Sequence, residues 1–305
     1  MANLKSIKTK IVSYKKTGTV THAMEAVSAV KMRKSQERAL SGRAYAAAAL
    51  SVLKRLAGTA DAERHALVRD QKGRTCFVVV TSDKGLAGSL NSAVIRRVEE
   101  EIHSRGLPKN DIVMIAVGRR GGDYFASRGY DVRVKHENVA DGVSEEEIRT
   151  VTDKILEWHA SGDIGTCVVA YQNFLSTFEQ EAGVRQIVPI TTEMVAEMVK
   201  HIRPVKGKYA PQASETEKGP DVYTIEPDPD EVFRVLLPKL LNIAIFHAML
   251  ESKASEHSAR MVAMKNATDK AKEMAQDLTR TFNKVRQAAI TREVSEINSG
   301  IEAMR

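Results

Sequence analysis

Apolar positions recur with helical spacing in two long stretches at opposite ends of the chain, and between them the pattern shortens. Over residues 3–57, apolar side chains fall at Leu4, Ile7, Ile11 and Tyr14, then at Val20, Met24 and Val27, with Lys31 continuing the row. Steps of three and four keep side chains on one face of a 3.6-residue helix. Near the other end, Leu236, Leu240, Ile243, His247, Leu250, Ala254, His257, Met261, Met264, Thr268, Ala271, Ala275, Leu278, Phe282, Val285 and Ala289 alternate steps of four and three without a break. That repeat predicts a coiled-coil seam on a helix roughly 80 Å long, at about 1.5 Å per residue. His247, His257, Thr268 and the small alanines suit a tight leucine-zipper dimer poorly. The expected partner is the other long helix, paired antiparallel within the chain.

Between these helices, short apolar runs at 76–80, 111–117, 131–134 and 166–171 alternate with helix candidates at 88–105, 119–128 and 144–160. The last candidate opens on Ser144 with Glu147 in capping-box spacing. A strand or hairpin pair near 177–190 completes an α/β domain. Five prolines with Gly, Ser and Lys between Arg203 and Asp230 read as a linker. The fold class expected is α/β: an antiparallel coiled coil of the terminal helices projecting as a stalk from a central Rossmann-like domain. The segments are 1–57 (N-terminal coiled-coil helix), 74–200 (α/β domain), 201–230 (linker) and 231–305 (C-terminal coiled-coil helix).

Composition sharpens this. Only 5% of residues are aromatic while 28% are charged, a balance suited to long helices with solvated faces. The formal charge is +7. Residues 1–57 hold twelve Lys and Arg against Glu25 and Glu37, so this segment carries +10 and the rest of the chain about −3. A helix this basic belongs in a negative environment, whether an acidic protein loop or a phosphate backbone. In isolation the Lys31, Arg33 and Lys34 cluster is an ordinary solvated helix face. A coiled-coil adaptor or nucleic-acid-binding stalk therefore stands as an alternative, although nothing aromatic interleaves the basic residues for base stacking. Cys76 and Cys167 lie in apolar runs without metal-binding neighbours and are expected to be reduced core residues. The N-terminus has no apolar signal core, and the nearly uncharged stretch Leu240–Leu250 falls short of a membrane span.

Candidate chemistry is sparse. The run Ser82–Asn91, after the first strand, stands where phosphate is often held, but it is neither GxGxxG nor GxxxxGK[ST]. A structural turn using glycine freedom outweighs nucleotide binding there. Gly118-Arg119-Arg120-Gly121-Gly122 could grip an anion, although a solvated strand-to-helix turn is the better reading. The histidines form no metal-ligand spacing, and no nucleophile–base set emerges. No catalytic residue, cofactor or metal is expected.

Three blocks carry a resemblance. The first runs from Val20 to Gln36, VTHAMEAVSAVKMRKSQ; the second is Ser82–Asn91, with Ala87 where a cysteine is common; the third runs from Leu250 through Met264 to RQAAITRE at 286–293. Together with Leu236-Leu237-Pro238 and Tyr223-Thr224-Ile225-Glu226-Pro227, they make the chain resemble the gamma subunit of F-type ATP synthases over nearly its whole length. The resemblance implies a non-catalytic central stalk, the rotor of a proton-translocating complex. It would turn inside a ring of alpha and beta subunits, with the epsilon subunit and the c-ring as further partners, and ATP chemistry would take place on beta. By the same resemblance, Met24, Lys31, Arg33 and Lys34 would face acidic loops of beta. Arg286, Gln287, Thr291 and Glu293 would engage the beta catch loop, while Tyr223 and Glu226 would lie at the foot near the c-ring. Membrane association would come only through the complex, at the cytoplasmic face of the cell membrane, with no role for nucleic acid.

Overall fold

The computed structural model describes residues 4–56, 65–191, 194 and 229–304. Its elements are α1 (Leu4–Leu56), β1 (Arg74–Val80), α2 (Leu90–Ser104), β2 (Ile112–Val117), α3 (Arg119–Ser127), β3 (Asp131–His136), α4 (Glu145–Ala160), β4 (Ile164–Phe174), β5 (Gln180–Val188) and α5 (Pro229–Ala303). The chain divides into two compact units, residues 1–29 with 260–305, and residues 30–259. Most of the proline-rich segment, with Tyr223 and Glu226, lies outside the described residues.

In the unit formed by residues 30–259, the sheet order is β3-β2-β1-β4-β5. The first four strands run parallel, and β5 returns antiparallel to β4 as a hairpin. β1 and β2 are almost wholly buried, as strands covered on both faces must be, and this explains why their sequences are unbroken apolar runs. One face packs Val78, Ile115 and Val169 against Ile148, Val151 and Ile155 of α4 and against Leu237, Leu241, Ile245 and Met249 of α5. The other packs Phe77, Val79 and Met114 against Val94 and Val98 of α2 and Phe125 of α3. Cys76 and Cys167 are free, buried and opposite each other in the β1–β4 register. The opening part of the heptad repeat, Leu236–Leu250, therefore serves the sheet rather than a coiled coil. Its burial is broader than a seam, because Leu237, Leu241, Ala244, Ile245, Ala248 and Met249 are covered as well.

Local chemistry fixes the connections. Ser144 and Glu147 form the expected reciprocal cap: the Glu147 amide donates to Ser144 Oγ at 3.2 Å, and the Ser144 amide to Glu147 Oε2 at 2.6 Å. Gly118 has φ +95°, and a Cβ on it would run into the Thr81 carbonyl, so the turn from β2 to α3 requires glycine.

In the unit formed by residues 1–29 and 260–305, α1 and α5 pair antiparallel, with Gly18 opposite Ala271 and Thr21 opposite Thr268. Their side chains nearly touch: a Cβ on Gly18 would lie 3.6 Å from that of Ala271, and the two threonine hydroxyls are 2.6 Å apart. The buried row on α1 is Ile7, Gly18, Thr21 and Ser28, with Ile11 and Tyr14 half-buried, and it departs from the expected one after Tyr14. Val20 and Val27, expected on the seam, are 58% and 55% exposed. The row stays in phase with Ile7, Ile11 and Tyr14, and close approach favours small residues over valine at the contact. On α5 the seam holds as expected, with Met264, Thr268, Ala271 and Ala275 buried and Leu278, Phe282, Val285 and Ala289 half-buried.

Candidate subunit-contact surface

The residues singled out by sequence fall into three groups. On the first part of α1, Met24 is half-buried, and its outward neighbours Val20 and Val27 are exposed. Farther along α1, in the unit of residues 30–259, Lys31, Arg33 and Lys34 are all exposed, but they are not equivalent. Lys31 Nζ lies 2.8 Å from Asp141 Oδ2, so its charge is partly engaged within the chain. Arg33 and Lys34 make no ion pair among the described residues.

The third group sits near the end of α5. Continuing the pairing register from Gly18 and Ala271 places Leu4 opposite Val285. Beyond that point Arg286, Gln287, Thr291 and Glu293 are all exposed, and Thr291 Oγ1 caps back onto the Gln287 carbonyl at 3.0 Å. The 4/3 repeat itself would pass through Arg292 and Glu296; one residue out of register with it, Ile290, Val294, Ile297 and Ile301 form a separate apolar row, all more than half exposed. Contiguous exposed apolar residues are a common feature of surfaces that other proteins cover.

One feature of the helix pair carried no strong sequence signal. A groove of about 760 Å³ runs along the pair where its seam residues are smallest, floored by Gly18 and Ala271 and flanked by Tyr14, Lys15, His22 and Lys272. Periodicity conceals it, because its floor consists of residues with little or no side chain. Its rim is cationic, in keeping with the charge of residues 1–57.

The turns weighed for phosphate are internally satisfied. Asn91 Oδ1 accepts the Ser82 amide at 2.9 Å, Asp83 Oδ1 accepts the Arg119 amide at 3.0 Å, and the Ser82 carbonyl accepts that of Arg120 at 3.2 Å. The left-handed positions are Leu86 and Gly88. Two strand-to-helix turns thus bind each other.

The ATP synthase family model matches residues 3–304. An ATP synthase gamma chain from Heliobacterium modesticaldum is 35% identical over 306 residues, covering 100% of both chains. The chain belongs to the ATP synthase gamma-chain family. A sodium-ion-specific gamma chain from Acetobacterium woodii is 34% identical over 304 residues, covering 99% of each chain. Among solved structures, the fold is similar to a chain in the OSCP/F1/c-ring structure of Euglena gracilis mitochondrial ATP synthase, with TM-score 0.64 and 16% identity over 99% of this chain and 94% of that one. A central stalk and c-ring structure from Tetrahymena thermophila gives TM-score 0.58 and 22% identity, over 81% and 99%. As a gamma-family chain, the protein is a non-catalytic subunit of ATP synthase, a membrane-associated complex.

Proposed function

We propose that the chain is the central stalk of an ion-translocating, by expectation proton-translocating, F-type ATP synthase, carrying torque between a membrane c-ring and a catalytic ring of alpha and beta subunits. The observation that carries this reading is the exposed end of α5, where Arg286 to Ala303 presents an apolar row and four polar groups at the surface. A shaft must bias several catalytic subunits differently as it turns, and only contacts that differ between their conformations can do so. Polar groups at a few azimuths, Arg286, Gln287, Thr291 and Glu293, suit that task. Met24, Arg33, Lys34 and the cationic groove on the helix pair suit acidic loops of beta, attracting them without a deep apolar lock. Lys31 joins them with the part of its charge that Asp141 leaves available. Tyr223 and Glu226 would form the foot against the c-ring, with epsilon bound beside it at the cytoplasmic face of the cell membrane.

Reconstitution with alpha and beta subunits tests the reading. The wild-type chain is expected to yield a stable, turning-over ATPase, and Arg286→Ala or Gln287→Ala to lower turnover or coupling while the isolated variants stay folded. Failure of the wild-type chain to enter such a complex would overturn it, and unchanged ATP synthesis in both variants would remove the catch-loop role.

A further inference from the structure

Within the unit of residues 30–259, the described contacts of the two terminal helices differ, although α1 also buries Ser35 and half-buries Met32. α5 buries Leu237, Leu241, Ile245 and Met249 in the core of the sheet. The described side chains of α1 meet the β3–α4 loop through charge instead. Lys31 Nζ lies 2.8 Å from Asp141 Oδ2, and the other oxygen of that carboxylate, Oδ1, lies 2.8 Å from Nε2 of the buried His257 on α5. Two turns farther along α1, the Arg38 guanidinium lies against Gly142, so close that a Cβ there would overlap it.

The loop that carries Asp141 is held in advance. Val139 and Val143 are buried, the Ala140 amide donates to Glu147 Oε1 at 3.1 Å, and the backbone bends through left-handed conformations at Asn138 (φ 59°) and Val143 (φ 43°). A pre-set loop offering one carboxylate to two helices is a positioning device, because little ordering is needed when the contacts form.

We propose that Asp141 is a positioning residue that fixes the rotational setting of α1 by bridging Lys31 and His257, so that twist entering the α/β unit reaches both terminal helices rather than α5 alone. This rests on the central-stalk reading. Burial of Asp141 opposes its ionisation, but the hydrogen bonds from Lys31 and His257 outweigh that and hold its carboxyl below the ordinary range. A partly exposed ion pair contributes little to stability. Its role lies in stiffness, so the decisive readout is mechanical.

The test uses the assembled complex in membranes, with ATP hydrolysis, ATP-driven ion pumping and the angular spread of a bead fixed to the α/β unit as readouts. Asp141→Asn keeps the size of the side chain and removes its charge, and Asp141→Ala removes both. Both variants are expected to retain wild-type hydrolysis, lose pumping per ATP and show a wider angular spread at rest. Exchanging the charges, Lys31→Asp with Asp141→Lys, is expected to recover part of both losses. Wild-type pumping and wild-type spread in both Asp141 variants would overturn the proposal while leaving the stalk reading intact. A wild-type chain that neither assembles nor pumps would overturn both.

Discussion

In the α/β unit, Phe77, Val78, Ile115, Val169 and Phe125 are sealed from water by other large side chains; along the helix pair the buried positions include Thr21, Ser28, Thr268, Ala271 and Ala275, with Gly18 among them. The same chain thus uses two packing rules. Large apolar residues give the sheet its stability through buried area. Small ones let two helices touch along their backbones, and the bulky Val20 and Val27 of α1 are then turned outward. A seam of small residues lets the two helices lie close together and leaves Val20 and Val27 on the outer face.

Five measurements would break or sharpen that contrast. Phe125→Ala should cost the α/β unit about 3–5 kcal/mol, because the ring is buried and its cavity would be left among α2, β2 and β3 residues. Urea unfolding followed by tryptophan emission reports this, since Trp158 lies on α4. A much smaller loss would mean that the core is less rigid than described. Ala271→Leu tests the opposite rule. With Gly18 facing it at contact distance, added bulk should destabilise the helix pair by about 1–3 kcal/mol, seen as faster amide exchange in residues 4–29. A neutral or stabilising result would show that the seam has room.

Ser144→Ala should cost about 1 kcal/mol by removing the cap of α4. The acid response of the α/β unit should then appear in two stages. Burial pushes the rings of His136 and His159 down from their ordinary value, so they take up protons mainly when unfolded. Their contribution is complete above about pH 6.5 and declines as pH falls below it. Asp163 is held low by Arg74 and then Arg133; at Glu147 burial works upward, and the amides of Ser144 and Ala140 prevail. Depressed carboxyls stabilise the fold above about pH 4, and that stability is lost as pH falls through their folded values. Thermal melts from pH 7 to pH 3 should show both steps, and stability that rises on acidification would contradict the assignments.

The smallest effect on folding is expected at the α5 end. Arg286→Ala should leave the isolated chain within about 0.5 kcal/mol of wild type, because the side chain is exposed and makes no ion pair among the described residues. A large loss of stability would mean that this surface is structural rather than reserved for a partner.

Periodicity and motif made much of this legible in advance. The Ser144 cap, the two buried cysteines, the strand runs and the seam from Met264 to Ala289 were all written in spacing and residue type, since helices and strands impose 3.6- and 2-residue periods on whatever they bury. Two features were not. Val20 and Val27 satisfy the helical period as well as Thr21 and Ser28 do, and hydrophobicity alone favours the valines. The carboxylate of Asp141 lies far along the chain from Lys31 and His257, and no local pattern joins them.

The sequence by itself therefore determined the elements, the charge of the first helix and the family. Only the tertiary structure decided which face of α1 is buried, that the first turns of the α5 repeat serve the sheet, and that Asp141 joins two helices. The reason is that closeness of approach between helices selects residue size rather than hydrophobicity, and a contact between distant segments exists only once the fold brings them together.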